Sequence, residues 1–163
     1  MRTELLHKPY AVVFSGGGAR GAYEMGVWKA LVELGVEIVA VAGTSIGSIN
    51  GALLAQGDYE VALKVWESLN PEMIFDADQT GVGRYRDTTK MRALIETYID
   101  EKRVRESAVR YALVAYNLSD RQSETKFAED IPEGRLIDYI MASANFPMFY
   151  RQVIEGKTYI DGG

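Results

Sequence analysis

The pentapeptide GTSIG, residues 43–47, puts a serine between two glycines, each two positions away, where an apolar run ends. A serine hydroxyl becomes a nucleophile for acyl transfer when a turn presents it and a base takes its proton. Strand-to-helix elbows present it on a strained backbone. The chain on either side then passes so close that the positions two before and two after favour the smallest side chain. Gly43 and Gly47 meet that demand around Thr44, Ser45 and Ile46. The plain alternative is a loop that happens to be rich in small residues. VEIVAVA (36–42) and IGSINGALLAQ (46–56) supply the strand and helix that an elbow requires, so Ser45 is the candidate nucleophile. Ser48 reads as a first-turn helix residue that hydrogen-bonds locally, and Ser15 as the end of a strand.

Such chemistry also needs donors for a developing negative charge. SGGGARG (15–21) holds Gly16, Gly17, Gly18, Ala19, Arg20 and Gly21 between a strand and a helix. Glycines let consecutive amides face one cavity, and the helix that follows adds a positive dipole end. That arrangement suits an oxyanion hole. The same spacing, Gly16-x-Gly18-x-x-Gly21, fits a dinucleotide-binding loop, so a nucleotide-binding module is the rival reading. A dinucleotide site usually has an acidic residue at the end of the next strand. Here that place is taken by VAVAGTS, which has none.

The base is the harder question. The only histidine, His7, precedes the first strand and is expected at the opposite edge of the sheet from the glycine loop. A carboxylate or a lysine must serve instead. Asp161, in YIDGG at 159–163, follows an apolar strand and precedes Gly162 and Gly163, which leave room around it. A carboxylate within hydrogen-bond reach can accept the serine proton directly. The alternative is an ordinary turn aspartate, since Asp-Gly is a common turn pair. No metal or cofactor is expected, because the chain lacks a ligand cluster and cysteine altogether.

The elements that must position these residues alternate. YAVVFS (10–15) reads as a buried strand and 21–34 as a helix closed by Gly35. A strand at 36–42 and a helix of small residues at 46–56, closed by Gly57, follow. Asp58 is the expected N-cap of the helix after it. Residues 88–100 read as one amphipathic helix, 109–118 as a strand, and 119–127 as a turn into a pairing strand. A helix over 133–144 runs toward Pro147, and 151–163 reads as a hairpin turning at Gly156. Strand–helix alternation implies right-handed crossovers and a largely parallel sheet, with both glycine-rich turns side by side at its carboxyl edge. The eighteen residues from Asn70 to Asp87 lack periodicity and include Met73, Ile74 and Phe75; they suggest a flap at the mouth of the site.

Composition sets outer limits. With 163 residues, 47% hydrophobic and 25% charged, the chain suits one globular domain. A net charge of −5 argues against nucleic acid as a partner. Residues 84–110 carry eight Lys/Arg against five Asp/Glu, read first as a solvated helical face and second as an anion contact. No apolar run approaches the roughly 20 residues that span a bilayer. The N-terminal segment lacks the apolar core of a signal peptide, so a cytoplasmic location is expected.

Taken in order, GGGARG, GTSIG, ASANFPMFY (142–150) and DGG resemble the oxyanion loop, nucleophile elbow, pre-aspartate segment and catalytic aspartate motif of the patatin-like phospholipase family. The resemblance runs over nearly the whole chain. It implies a three-layer α/β/α sandwich in a single domain over 1–163, cut short at its C-terminal end. It also implies a Ser45–Asp161 dyad, an oxyanion hole of loop amides around Gly17 and Gly18, and a lipid acyl ester, such as a phospholipid, as substrate. Arg20 matches a basic position of the family loop, with a role in fixing the loop or favouring anionic lipid, or in a structural salt bridge. The implied activity is lipid acyl hydrolysis through an acyl-enzyme, with peripheral membrane contact. Acyl transfer to a lipid hydroxyl is the alternative outcome of the same intermediate.

Overall fold

The structure is a computed structural model and describes residues 8–74 and 87–163. Pro9–Phe14 (β1), Glu37–Thr44 (β2) and Arg110–Asn117 (β3) form the parallel part of a six-stranded sheet. Gln122–Phe127 (β4) returns antiparallel along β3. Gln152–Ile154 (β5) and Lys157–Asp161 (β6) form a hairpin, with left-handed backbone at Glu155 and Gly156 in its turn. β6 pairs antiparallel with β3.

The register explains the site. β4 takes one edge of β3 over Ala112–Asn117. A strand has only two edges, so β2 and β6 must share the other. β2 faces Arg110–Val114, and β6 faces Ala115–Asn117. The two strands arrive from opposite directions and meet end to end, Thr44 opposite Val114 and Asp161 opposite Ala115. Ser45, just past the end of β2, and Asp161 are thereby neighbours in space although 116 apart in sequence.

Helices flank the sheet: Ala22–Glu33 (α1), Ile46–Gln56 (α2), Tyr59–Ser68 (α3), Pro71–Ile74 (α4), Thr89–Tyr98 (α5), Glu101–Arg105 (α6) and Leu136–Ser143 (α7). α2 is buried along nearly its whole length and lies against β1, β2 and β3. Its run of Gly, Ser, Asn and Ala lets the helix approach the strands closely, and Gly57 closes it in a left-handed conformation as the sequence suggests. α7 packs on β3, β5 and β6. The core between them holds Phe14, Trp28, Val41, Leu53, Tyr111, Leu113, Leu136 and Ile140. Trp28 meets Tyr59 edge to face with centroids 5.1 Å apart, fastening α1 to α3.

Three expectations are revised. β1 is not a buried strand: it forms one end of the sheet, only Phe14 is buried, and Val13 is 76% exposed. An apolar run fits an edge strand as well as a central one. The single helix expected over 88–100 stops at Tyr98, and a short helix follows, because Asp100 accepts hydrogen bonds from the amides of Lys102 and Arg103 and restarts the chain. Asp58 stands at the N-cap position of α3 without capping it. Its carboxylate instead receives Arg103 in a two-pronged pair at 2.7 and 2.8 Å, and a charge-assisted pair outcompetes a neutral amide. That guanidinium, helped by Gln56, holds the Asp58 carboxyl below its usual range. The basic stretch keeps its first reading, a solvated face, with arginines paired to carboxylates. Arg92 meets Asp138 and Glu96, Arg105 meets Glu101, and Arg110 meets Glu129. His7 and most of the suggested flap, residues 75–86, lie outside the described residues.

Candidate active site

The two glycine-rich turns leave neighbouring parallel strands. β2 ends at Thr44, and Ser45 adopts φ 57° and ψ −130°, a conformation that side chains rarely accept, before α2 begins at Ile46. The turn is interlocked. A Cβ on Gly43 would enter the van der Waals envelope of the Gly47 carbonyl, and one on Gly47 that of the Phe14 carbonyl at the end of β1. Glycine is required at both places by close approach of backbone. Ser48 folds its hydroxyl back to the Ser45 carbonyl at 2.7 Å, the local bond expected of it, and Tyr111 donates to the Ser48 carbonyl at 2.7 Å from beneath. Burial pushes the Tyr111 phenol well above its usual range, so it stays protonated as a donor.

Ser45 Oγ donates to Asp161 Oδ2 at 2.6 Å. The other carboxylate oxygen accepts the Gly163 amide at 2.8 Å. Asp161 is buried, and its own amide donates to the Asn145 carbonyl at 2.9 Å. Gly162 lies so tightly against the Val114 carbonyl that a side chain there would collide with it. The geometry brings together a hydroxyl and a carboxylate, each fixed by its own strand end.

The loop Gly16–Gly21 borders this pair. A Cβ on Gly16 would stand 3.1 Å from Ser45 Cβ. Gly18–Gly21 forms one tight helical turn, with Gly18 at φ 57° and the Arg20 amide donating to the Gly17 carbonyl at 3.2 Å. The first amides of such a turn have no acceptor within it. Arg20 is exposed and makes no ion pair among the described residues. Among the described residues no group of three potential metal ligands occurs, and no helix is long and apolar enough to cross a membrane.

Sequence reasoning missed the groups that tie these parts together. Asn50, fully buried on α2, donates from Nδ2 to the Gly21 carbonyl at 3.0 Å and to Glu24 Oε2 at 2.7 Å, and accepts from Trp66 Nε1 at 3.0 Å. Burial raises the Glu24 pKa, and the bond from Asn50 partly offsets this. The signal was available: one amide in an otherwise small and apolar helix must find partners. Behind Ile46 lies an apolar cavity of about 80 Å³, bounded by Ile46, Ile49, Leu53, Trp66, Met91 and Ile95.

The profile of the patatin-like phospholipase family matches residues 12–163. Among curated proteins, lysophospholipase nte1 of Aspergillus terreus is 50% identical over 52 residues, which are 32% of this chain and 3% of that protein. Human patatin-like phospholipase domain-containing protein 6 is 59% identical over 46 residues, 28% of this chain and 3% of that protein. This chain therefore spans only a small part of the length of these relatives. In solved structures, VipD from Legionella pneumophila superimposes with a TM-score of 0.80 at 17% identity, over 94% of this chain and 45% of VipD, a likeness of fold. With its motifs in order and the family profile matched over nearly its whole length, the chain belongs to the patatin-like phospholipase family.

Proposed function

We propose that this domain is a serine lipid acyl hydrolase working through a Ser45–Asp161 dyad. The observation that carries the reading is the 2.6 Å hydrogen bond from Ser45 Oγ to Asp161 Oδ2. Ser45 Oγ attacks the ester carbonyl while its proton passes to Asp161. The carbonyl oxygen becomes an oxyanion held by amides of the Gly16–Gly21 loop. Each such donor contributes roughly 3 kcal/mol of transition-state stabilisation. Collapse of the tetrahedral adduct releases the alcohol, which takes the proton back from Asp161, and leaves an acyl ester on Ser45. Water, deprotonated by Asp161, repeats the sequence and frees the fatty acid and the serine. The substrate is an acyl ester of a lipid, phospholipid by family. Its acyl chain meets the apolar wall beginning at Ile46. An apolar cavity of about 150 Å³ holds a benzene ring, so the 80 Å³ behind Ile46 takes only a short run of methylenes without movement of the helices.

The test is a pair of variants assayed on a soluble short-chain ester and with a fluorophosphonate probe. Ser45→Ala is expected to abolish both hydrolysis and labelling, while Ser48→Ala keeps most of each. Asp161→Asn is expected to lower kcat by about 1,000-fold or more with the fold retained. Undiminished turnover in Ser45→Ala would remove the proposal. Repeating the wild-type assay with a lipid alcohol as acceptor separates hydrolysis from acyl transfer.

A further inference from the structure

Where β2 leaves β3, one hydrogen bond is not made between the strands. Thr44 is the last residue of β2 in register, opposite Val114. The next amide, that of Ser45, donates to Ser143 Oγ at 3.0 Å, and that same hydroxyl donates to the Val114 carbonyl at 2.6 Å. Ser143 is the last residue of α7 and is fully buried. Its hydroxyl thus stands between the nucleophile's amide and the carbonyl of the neighbouring strand, as a wedge that accepts from one and donates to the other.

The same few residues hold the other half of the dyad. The Ser143 carbonyl receives the Gly162 amide at 3.4 Å, and the Asn145 carbonyl receives the Asp161 amide at 2.9 Å. Gly162 rests on the Val114 carbonyl to which Ser143 is bonded. Val114 and Ser143 are therefore shared by both strand ends.

We propose that Ser143 is a positioning residue that sets the Ser45–Asp161 geometry. It touches neither substrate nor the reacting oxygen. Ser45 sits at φ 57°, and such a conformation persists only where its surroundings over-determine it. The Ser143 hydroxyl supplies that restraint at the nucleophile's own amide. It also commits this amide, so the Ser45 N–H is not among the donors to the oxyanion. Removing the hydroxyl leaves a half-buried amide and a half-buried carbonyl without a shared partner, and the two can pair directly only if Ser45 moves toward Val114 and away from Asp161.

The inference rests on the reading of Ser45 as nucleophile, and Ser45→Ala tests that separately. The experiment on Ser143 compares wild type, S143A, S143C and the control I140V, which trims the same helix without touching a polar group. Each is assayed well below its own unfolding temperature on a soluble short-chain ester and by the rate of fluorophosphonate labelling. Misplacement by about 1 Å is worth on the order of 100-fold in rate. S143A is expected to lose roughly 10- to 100-fold in kcat and in the maximal labelling rate, with KM within about twofold. I140V is expected to stay within about twofold of wild type in all three. If S143A does not fold, S143C decides: it nearly preserves volume but offers only weak hydrogen bonding, and about a 10-fold loss of kcat is expected. The proposal is overturned if S143A keeps wild-type kcat, if its loss matches that of I140V, if the loss falls on KM instead, or, should S143A not fold, if S143C is fully active. Full activity of S143A beside a dead Ser45→Ala overturns the positioning role alone.

Discussion

The two glycine-rich turns leave adjacent parallel strands at the same edge of one sheet, yet they use glycine in opposite ways. At the β2–α2 turn, Gly43 and Gly47 are buried, and backbone of Gly47 and of Phe14, respectively, occupies the space a side chain would need. At the β1–α1 turn, Gly16, Gly17 and Gly18 are exposed, and a Cβ on Gly18 would meet nothing within 4 Å. The first turn is glycine-rich so that three backbone segments can interlock around a strained serine. In the second, Gly16–Gly18 leave their amides uncovered, while Gly21 at its far end is packed against Ile46 and Trp66. On the proposed mechanism, a strained nucleophile needs a rigid frame, whereas a surface that receives a developing charge needs open donors. One composition thus serves two physical demands.

The comparison breaks most visibly at Gly47. Its added methyl would run into the carbonyls of Phe14 and Ser15, which are backbone and cannot rotate away. Gly47→Ala is expected to lose about 3 kcal/mol of stability, the upper end for overpacking, together with most probe labelling. Urea unfolding followed by fluorescence measures the first, and labelling of the folded fraction the second. A variant as stable and reactive as wild type would show that the elbow is not interlocked.

Gly18→Ala sharpens the contrast from the other side. The position has room but lies at φ 57°, so the expected loss is only the strain of a left-handed alanine, about 1 kcal/mol. Turnover is expected to stay within a few-fold, since the amide need not move. An unfolding midpoint depressed as far as that of Gly47→Ala would erase the distinction between the turns.

The sequence carried the elbow, the loop and the Asp161 motif because each depends on residues close together in the chain. Helix α2 was legible over 46–56 for the same reason, with strand, elbow and Gly57 all local. What it did not carry was non-local. The edge position of β1 depends on strand order, and YAVVF is equally apolar at the centre or the edge of a sheet. The end-to-end meeting of β2 and β6 on β3 depends on register between segments 116 residues apart, and neither strand contains it. Ser143 lies in a recognisable segment, but its partners, the Ser45 amide and the Val114 carbonyl, come from two other elements. The helix break at Asp100 was local and still missed, because the amphipathic pattern of the preceding turns runs straight through it.

The smallest expected effect concerns the bridge between the turns. Asn50 holds the last carbonyl of the open loop, that of Gly21, and its amide group also faces the buried carboxyl of Glu24. Burial raises the Glu24 pKa above its ordinary value, the Asn50 bond acting in the opposite sense. A raised folded-state pKa means that the native state binds the proton more tightly than the unfolded chain does. The associated stability is fully present below the unfolded pKa, near 4.5, and is lost as pH rises through the folded value. As pH rises, ionisation of Glu24 puts a charge in a buried place where Asn50 offers one neutral donor. Glu24→Gln keeps an acceptor for Asn50 and removes the charge. The variant is expected to melt with wild type at pH 4 and on the order of one or two degrees above it at pH 8. Its kcat is expected to be unchanged, because the Gly21 carbonyl keeps its donor. Thermal unfolding of both proteins across that range checks this. Curves that stay parallel would mean that Glu24 does not bind its proton differently in the two states, and a variant that melts lower at pH 8 would mean that the carboxylate's bond to Asn50 outweighs its desolvation.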